Sequence, residues 1–267
     1  MEEVHVVSFS GGKDSTAMLL LMIEKKMRID CIFFVDTTKE YPDLYNHLEK
    51  VKKYIYPLKI ETIDVKFNYW FSEHIKTKGK NKGKKGYGWP TPMGRWCTAL
   101  KREGVKKAVK NLTKTARVIE YHGIAADEAE RAKKNQVGRY IKYPLIDFNV
   151  TEKDALEYCY SKGFNWNGLY EKVSRVSCYC CPLARLDNLR TIRREFPDLW
   201  QDMIEMDTKT DYPFKLNYSV LDLDRKFKKE ESDSDFMQLS LLDDLIIEDV
   251  SGSCANKSTS CSECLNI

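Results

Sequence analysis

Val4-His5-Val6-Val7-Ser8-Phe9-Ser10-Gly11-Gly12-Lys13-Asp14-Ser15-Thr16 is the stretch that decides the fold. Its first six residues are apolar and β-branched in the manner of a buried strand, and the run stops at two glycines. From Asp14 to Met27 the chain has long-chain helix formers and no breaker, so a helix is expected there. A strand that turns through glycines into a helix builds an anion site. Without a Cβ at Gly11 and Gly12 the backbone turns sharply and brings its N–H groups near a phosphate. The N-terminus of the helix adds a partial positive charge at the same place. Lys13 supplies a full charge, and Ser10, Ser15 and Thr16 supply hydroxyls. The loop is shorter than the Walker-type loop, which has four residues between its first Gly and its Gly-Lys.

Working outward, Cys31–Val35 is a second apolar run of strand type, Lys59–Val65 a third and Arg117–Tyr121 a fourth. Asp43–Tyr54 between them has helical spacing. Strands alternating with helices predict an α/β fold, a Rossmann-like parallel twisted sheet with flanking helices. After Thr151 the pattern is helical, over Thr151–Lys162, Leu186–Phe196 and Leu199–Thr208, and Thr151 with Asp154 three residues on is close to a capping box. The expected organisation is a nucleotide-binding domain over 1–150, a helical section over 151–227 and an acidic, cysteine-containing tail over 228–267. The tail has a short apolar stretch, Leu239–Ile247, and is expected to be poorly ordered or to dock weakly. Between the third and fourth strands, Lys76–Gly86 holds six Lys and three Gly. Such a segment is expected to be an exposed, mobile loop. It is either a solvated surface or an arm that orders over substrate phosphates.

The 267 residues, 42% hydrophobic and 31% charged, are enough for a large domain with a small appendage. No apolar run reaches the ~18–20 residues of a membrane span, and no signal-peptide layout precedes the first strand, so a cytoplasmic protein is expected. The net charge of +4 hides an asymmetry, because residues 228–267 carry −6 and the rest +10. A basic body suits a polyanionic ligand and equally suits ordinary solubility. The nine cysteines, an odd number in a reducing compartment, argue against a disulfide framework. Cys31 and Cys159 lie in apolar or amphipathic runs and are expected as small core residues. Cys178-x-x-Cys181, with Cys180 between, has the spacing of a thiolate chelate for Zn²⁺ or an iron–sulfur cluster. Asp36, at the end of the second strand, is a candidate for Mg²⁺ or ribose, or else a turn residue.

The Ser10–Ser15 loop resembles the PP-loop of the adenine-nucleotide α-hydrolase-like superfamily, which includes ATP pyrophosphatases and sulfonucleotide reductases. The downstream segments resemble the phosphoadenylyl-sulfate (PAPS) reductase family in order. These are Asp36-Thr37-Thr38-Lys39-Glu40-Tyr41-Pro42-Asp43, Arg95-Trp96-Cys97-Thr98 with Lys101, Gly123-Ile124-Ala125-Ala126-Asp127-Glu128 with Arg131, Tyr143-Pro144-Leu145-Ile146-Asp147 and Cys178-x-x-Cys181-Pro182. The resemblance runs from residue 4 to about 196. It implies cofactor binding by Ser10, Gly11, Gly12, Lys13, Asp14, Ser15, Asp36, Gly123, Asp127 and Arg131. It also implies a role for Lys13 and Asp14 in catalysis, and ATP or a related adenine nucleotide with Mg²⁺ as ligand. Cys97, Cys178, Cys180 and Cys181 match the region where relatives bind a 4Fe–4S cluster, with a tail cysteine as another possible fourth ligand. Structural zinc and buried free thiols are the alternatives. Arg175, Arg185, Arg190, Arg193 and Arg194 stand near these cysteines in sequence, either to meet phosphate or as a solvated helix face.

The departures from the family pattern are specific. The loop keeps the Lys-Asp of ATP-cleaving members. Ala125 stands where the family has Arg, and Ser177 where it has Gly. The tail ends Glu263-Cys264-Leu265-Asn266-Ile267, without the Gly and His that follow the reductase nucleophile. The leading expectation is therefore ATP cleavage between the α- and β-phosphates to activate an acceptor for sulfur-related chemistry. Two others stand beside it: a sulfonucleotide reductase using Cys264, with Cys261 or Cys254 near it, and a nucleotide-sensing subunit without turnover. The partners left open are a nucleic-acid acceptor, a sulfur-donor protein and a second copy of the chain in a homodimer.

Overall fold

The computed structural model describes residues 2–112, 116–133 and 140–233. Five strands form one parallel sheet in the order β3-β2-β1-β4-β5. They are β1 (Glu3–Phe9), β2 (Cys31–Asp36), β3 (Ile60–Asp64), β4 (Arg117–His122) and β5 (Tyr140–Lys142). β1 is central, pairing with β2 from Val6↔Cys31 to Phe9↔Phe34 and with β4 from Glu3↔Arg117 to Ser8↔His122. β5 has three residues with a polar, exposed pattern, too short for alternation to reveal it in the sequence.

The strand order reverses between β1 and β4. In open parallel sheets ligands bind beyond the strand C-termini at such a switch point. The chain leaves β1 through Ser10–Gly12 and enters α1 (Lys13–Glu24). It leaves β4 through Gly123 beside the first turn of that same helix: a Cβ on Gly123 would sit 2.8 Å from both the Cα and the backbone N of Ser15. Only glycine admits that approach.

α1 stops three residues before the expected Met27. Lys26 takes a left-handed φ of 53°, and the Met27 amide closes on the Met22 carbonyl at 2.8 Å. A 6→1 closure of this type ends helices with or without glycine. α1 packs on α6 (Glu152–Ser161), whose Ala155 and Cys159 are fully buried. The Thr151–Asp154 capping box is present at the start of α6, with both reciprocal bonds made. On another face of the sheet, Val6, Phe33, Val109 and Val118 form an apolar cluster with partly buried Cys31 beside it. Val109 belongs to α3 (Trp96–Leu112), a helix the sequence pattern did not single out. Cys31 and Cys159 are thus packing residues.

α2 (Pro42–Tyr54) begins on a proline, whose fixed φ suits the first helical position. It buries Leu44, His47, Leu48 and Val51 on one stripe. The remaining helices of the described chain are α4 (Ala129–Lys133), α5 (Pro144–Asp147), α7 (Leu169–Lys172), α8 (Leu186–Glu195) and α9 (Pro197–Asp207), with a helix over 220–233. The chain divides into two compact units, Met1–Asn217 and Tyr218–Ile267. Among the described residues no helix is long and apolar enough to cross a membrane.

The lysine-rich segment is exposed over most of its length yet organised. Ile75 bridges Lys85 in antiparallel sense, Lys76 N–H donates to the Lys84 carbonyl at 3.0 Å, and Gly86 N–H to that of His74 at 2.8 Å. Lys76 is buried against Tyr212, whose hydroxyl accepts from its Nζ at 2.9 Å. The expected exposure holds for residues 77–80 and 82–85, and the bonds that organise the segment are ones no local pattern of lysines and glycines announces.

Two predictions follow from packing around α1. Gly123→Ala drives a methyl into the Ser15 backbone, which has nowhere to move without shifting the helix; it lowers stability by about 1–3 kcal/mol in urea unfolding. His47 is buried beneath the same helix, with Nε2 3.0 Å from the Thr16 hydroxyl, its ring stacked on Trp166 at 4.3 Å and, among the described residues, no partner for Nδ1. Burial, helped by Lys50, drives its pKa down to about 3 from 6.5. Below pH 6.5 the unfolded chain gains a proton that the folded chain refuses. His47 therefore subtracts stability as pH falls from about 6.5 toward 3, by up to about 1.4 kcal/mol per pH unit. Urea melts between pH 7 and 4.5 should show a shallower fall for His47→Gln, and equal slopes would refute the assignment.

Candidate functional site

The loop after β1 is held from behind. Gly11 has a φ of 77°, a conformation only glycine adopts without strain. Its carbonyl accepts from the buried Trp166 indole at 2.8 Å. Ser10 and Ser15 hydroxyls lie 2.9 Å apart, and the Ser15 hydroxyl also accepts from Ser10 N–H at 3.2 Å and donates to the Gly12 carbonyl at 3.0 Å. These bonds close the turn on itself and leave its outer side toward a cavity of about 300 Å³.

That cavity brings together seven of the sequence-derived residues: Ser10, Gly12, Lys13, Asp14, Ser15, Gly123 and Arg131. Gly11 supports the turn from outside it. Asp36 and Asp127 are elsewhere. The Asp36 carboxylate accepts from Thr38 N–H and from the Tyr45 hydroxyl, each at 2.7 Å, as a turn residue does. Asp127 accepts from Glu152 N–H at 3.1 Å and so caps an orphan amide of α6. Glu128, Glu152, Tyr170 and Arg175 line the cavity too. Sequence reasoning offered Arg175 either to phosphate or to a solvated helix face, and did not assign Glu128, Glu152 or Tyr170 to the nucleotide. Glu128 was visible inside the Gly123–Arg131 segment, whereas Glu152 and Tyr170 reach the loop only through the packing of α6 and α7.

The electrostatics of the cavity are those of a poised cation. Lys13 Nζ donates to Glu152 at 2.6 Å and to Asp14 at 2.9 Å. Burial works against its charge, but these two carboxylates more than offset that and raise its pKa. Asp14 is pushed upward by burial, with Lys13 opposing and Glu152 and Glu128 adding to the rise. Arg131 pairs with Glu128 at the rim. The backbone N–H of Lys13, an orphan of the helix start, donates to the Tyr170 hydroxyl at 2.7 Å. Burial raises the Tyr170 pKa, so this phenol is neutral and replaceable by an anion's oxygen.

Ser10 also lines a second cavity, of about 330 Å³, at the C-terminal ends of the strands. Its walls include Phe33, Val35, Val105 and Ile141, with Lys101, Arg102, Glu120 and His122 among its polar groups. A largely apolar recess of that size adjoining a phosphate loop suits a nucleoside.

The cysteines form a separate constellation. Cys178 Sγ donates to Glu40 at 3.2 Å, with the Thr37 hydroxyl at 3.4 Å and Lys101 Nζ at 3.6 Å. Lys101 pairs with Glu40 at 3.0 Å and lies one helical turn after Cys97 on α3. Tyr179 N–H donates to the Lys39 carbonyl at 3.0 Å, which ties the Cys178–Cys181 turn to the segment after β2. Burial first, then Glu40, pushes the Cys178 thiol up to about 12. Burial raises Cys97 as well, with Cys181 among its neighbours, and Cys180 is fully inside. Soft sulfur donors suit Zn²⁺ or a cluster by type. As placed they do not close on one point: among the described residues no three Cys, His, Asp or Glu side chains form a metal-ligating group. Cys254, Cys261 and Cys264 lie outside the described residues.

Comparison with known proteins places this geometry. Residues 4–184 match the model of the phosphoadenosine phosphosulfate reductase domain. The chain is 30% identical over 204 residues to an uncharacterized protein of Methanocaldococcus jannaschii, covering 73% of this chain and 40% of that protein. It is 29% identical over 179 residues to an uncharacterized nin region protein of Escherichia phage lambda, covering 61% of each. The chain thus spans less than two thirds of the length of both relatives, 40% of one and 61% of the other. Among solved structures, the U34-tRNA thiolase NcsA from Methanococcus maripaludis with its 4Fe–4S cluster is similar at 14% identity and a TM-score of 0.41, over 86% of this chain and 73% of that one. A domain match over most of the chain, on a sheet whose switch point carries the glycine–lysine loop, leads to one conclusion: the chain belongs to the phosphoadenosine phosphosulfate reductase domain family.

Proposed function

We propose that the protein binds ATP with Mg²⁺ and cleaves it between the α- and β-phosphates, transferring the adenylyl group to an acceptor that is thereby activated for sulfur chemistry. The observation that carries this is the intact Lys13-Asp14 pair at the mouth of a loop whose amides and Arg131 face one cavity, with a nucleoside-sized recess adjoining it at Ser10. The triphosphate lies along the loop. Its terminal pyrophosphate displaces the Tyr170 hydroxyl from Lys13 N–H and draws Lys13 Nζ away from Glu152.

Asp14, Glu128 and Glu152 face the same cavity, and three carboxylates would repel a bare polyphosphate. ATP arriving with Mg²⁺ would relieve that conflict, since Mg²⁺ takes phosphate oxygens with one or two carboxylates, which Asp14 or its neighbours Glu128 and Glu152 would supply. The acceptor's oxygen attacks the α-phosphorus in line. The bond from that phosphorus to the bridging oxygen breaks, and pyrophosphate leaves with the electron pair. Lys13 and the helix N–H groups stabilise that charge as it develops, which is where preorganised donors contribute most. The acceptor's proton passes to solvent or to a carboxylate of the cavity. Cys97, Cys178, Cys180 and Cys181 enter no step here. Zn²⁺ or a 4Fe–4S cluster on them would require the thiols to rearrange, with Cys178 leaving Glu40.

The test is pyrophosphate release from ATP and Mg²⁺ by anaerobically purified protein, with Lys13→Met beside it. The wild-type chain releases pyrophosphate in the presence of acceptor. The variant releases it about 100- to 1000-fold more slowly, the usual cost of one missing donor to a developing oxyanion. Equal rates in the two proteins would refute the assignment of Lys13.

A further inference from the structure

A groove of about 900 Å³ in the 1–217 unit is separate from the nucleotide cavity. It lies between the lysine-rich arm, the segment over 87–96, the first turns of α3 and Tyr212. Its lining includes Lys76, Lys78, Lys80, Arg95 and Arg102 and contains no Asp or Glu. Lys78, Lys80, Arg95 and Arg102 are exposed, and among the described residues no carboxylate pairs with any of them. Lys76 Nζ stands 4.6 Å from the ring centre of Tyr212 and 5.6 Å from that of Tyr87, so ring faces hold this cation.

The rings are themselves fixed. Tyr87 stacks on Trp96 with centroids 5.7 Å apart, and the Trp96 indole donates to the Gly88 carbonyl at 3.0 Å. Tyr87, Trp96 and Tyr212 are each only partly buried. The N-terminal turn of α3, a 17-residue helix with no acidic residue in that turn, opens on the same groove. The positive end of the helix dipole adds to the potential of the cationic wall.

We propose that this groove binds a single strand of nucleic acid and delivers it to the nucleotide site as the acceptor. Unpaired cations along a groove with rigid, half-exposed rings among them is the composition that tracks a phosphodiester backbone while stacking bases. A duplex hides its base faces from such rings, and an acidic protein surface would leave them without a partner. Arg102 lines both the groove and the recess at the strand ends, and Ser10 lines both that recess and the cavity at the phosphate loop. A strand in the groove therefore lies one side chain, Arg102, from the recess. The acceptor role rests on the ATP reading above; the binding does not.

The experiment measures anisotropy of labelled oligo-dT and oligo-rU of about 12 nucleotides, within the span such grooves cover, and of a matched duplex. It uses the full chain without added nucleotide, over a range of salt. A single strand binds more tightly than the duplex, and the tighter of the DNA and RNA arms identifies the sugar. For three to five phosphate contacts, log K falls with log salt at a slope of about −2 to −3.5. The Lys78→Glu/Lys80→Glu protein binds at least about tenfold more weakly with a flatter slope, while its ATP affinity by calorimetry equals wild type. Bound strand quenches tryptophan fluorescence, and Trp96→Phe, which keeps a stacking ring, loses much of that quench while still binding. No single-strand binding, duplex binding as tight as single strand, or unchanged affinity in the charge-reversed protein would overturn the proposal. Loss of ATP binding in the wild-type chain would sink the nucleotide reading instead and leave the groove result standing.

Discussion

The first turn of α1 is where the structure has least freedom. The Gly123 backbone rests against the Ser15 backbone at a separation that excludes any Cβ, so the end of β4 and the start of α1 are placed by contact rather than by side chains. On other sides the same turn meets the Trp166 indole through the Gly11 carbonyl, the Tyr170 hydroxyl through Lys13 N–H and His47 through Thr16. A buried hydrogen bond of this kind contributes only about 1 kcal/mol net. Its greater effect is positional, because a loop fixed from behind spends nothing on ordering itself around an anion.

This arrangement also explains the carboxylates around Lys13. A lysine in a partly buried cavity needs counter-charge when no ligand is present, and Asp14 and Glu152 supply it. The same groups would repel a phosphate, so the cavity suits an anion that arrives with a cation. The charge of the site is balanced for exchange rather than for maximum attraction, which is consistent with a family that must release product as well as bind substrate. The cysteine constellation follows a different logic. Burial raises the Cys178 thiol, which donates to Glu40 beside the Thr37 hydroxyl and so helps to tie its turn to the segment after β2.

Much of this was legible in the chain. The loop could be read because its function needs particular residues at adjacent positions: glycines for the turn, lysine for charge, and a strand and helix on either side. The capping box at Thr151–Asp154 could be read for the same reason, since a helix start is a local event. The ends of elements were less visible where no special residue marks them. α1 stops on a left-handed lysine, and β5 is too short for any period. The role of Asp36 was open in the sequence between ligand and turn residue. Its carboxylate accepts from Thr38 and Tyr45, and Tyr45 is supplied by α2.

The sequence by itself determined the α/β class, the place of the glycine–lysine loop between β1 and α1 and the family, because each rests on local backbone geometry or on a set of short segments in order. Only the tertiary structure decided which residues share the cavity. Glu152 and Tyr170 come to the loop from 139 and 157 residues away. It alone decided that the lysine-rich segment is pinned by Tyr212 and shapes a groove with α3. Those contacts depend on helices folding back across the sheet ends, and no spacing along the chain records a distance closed in space.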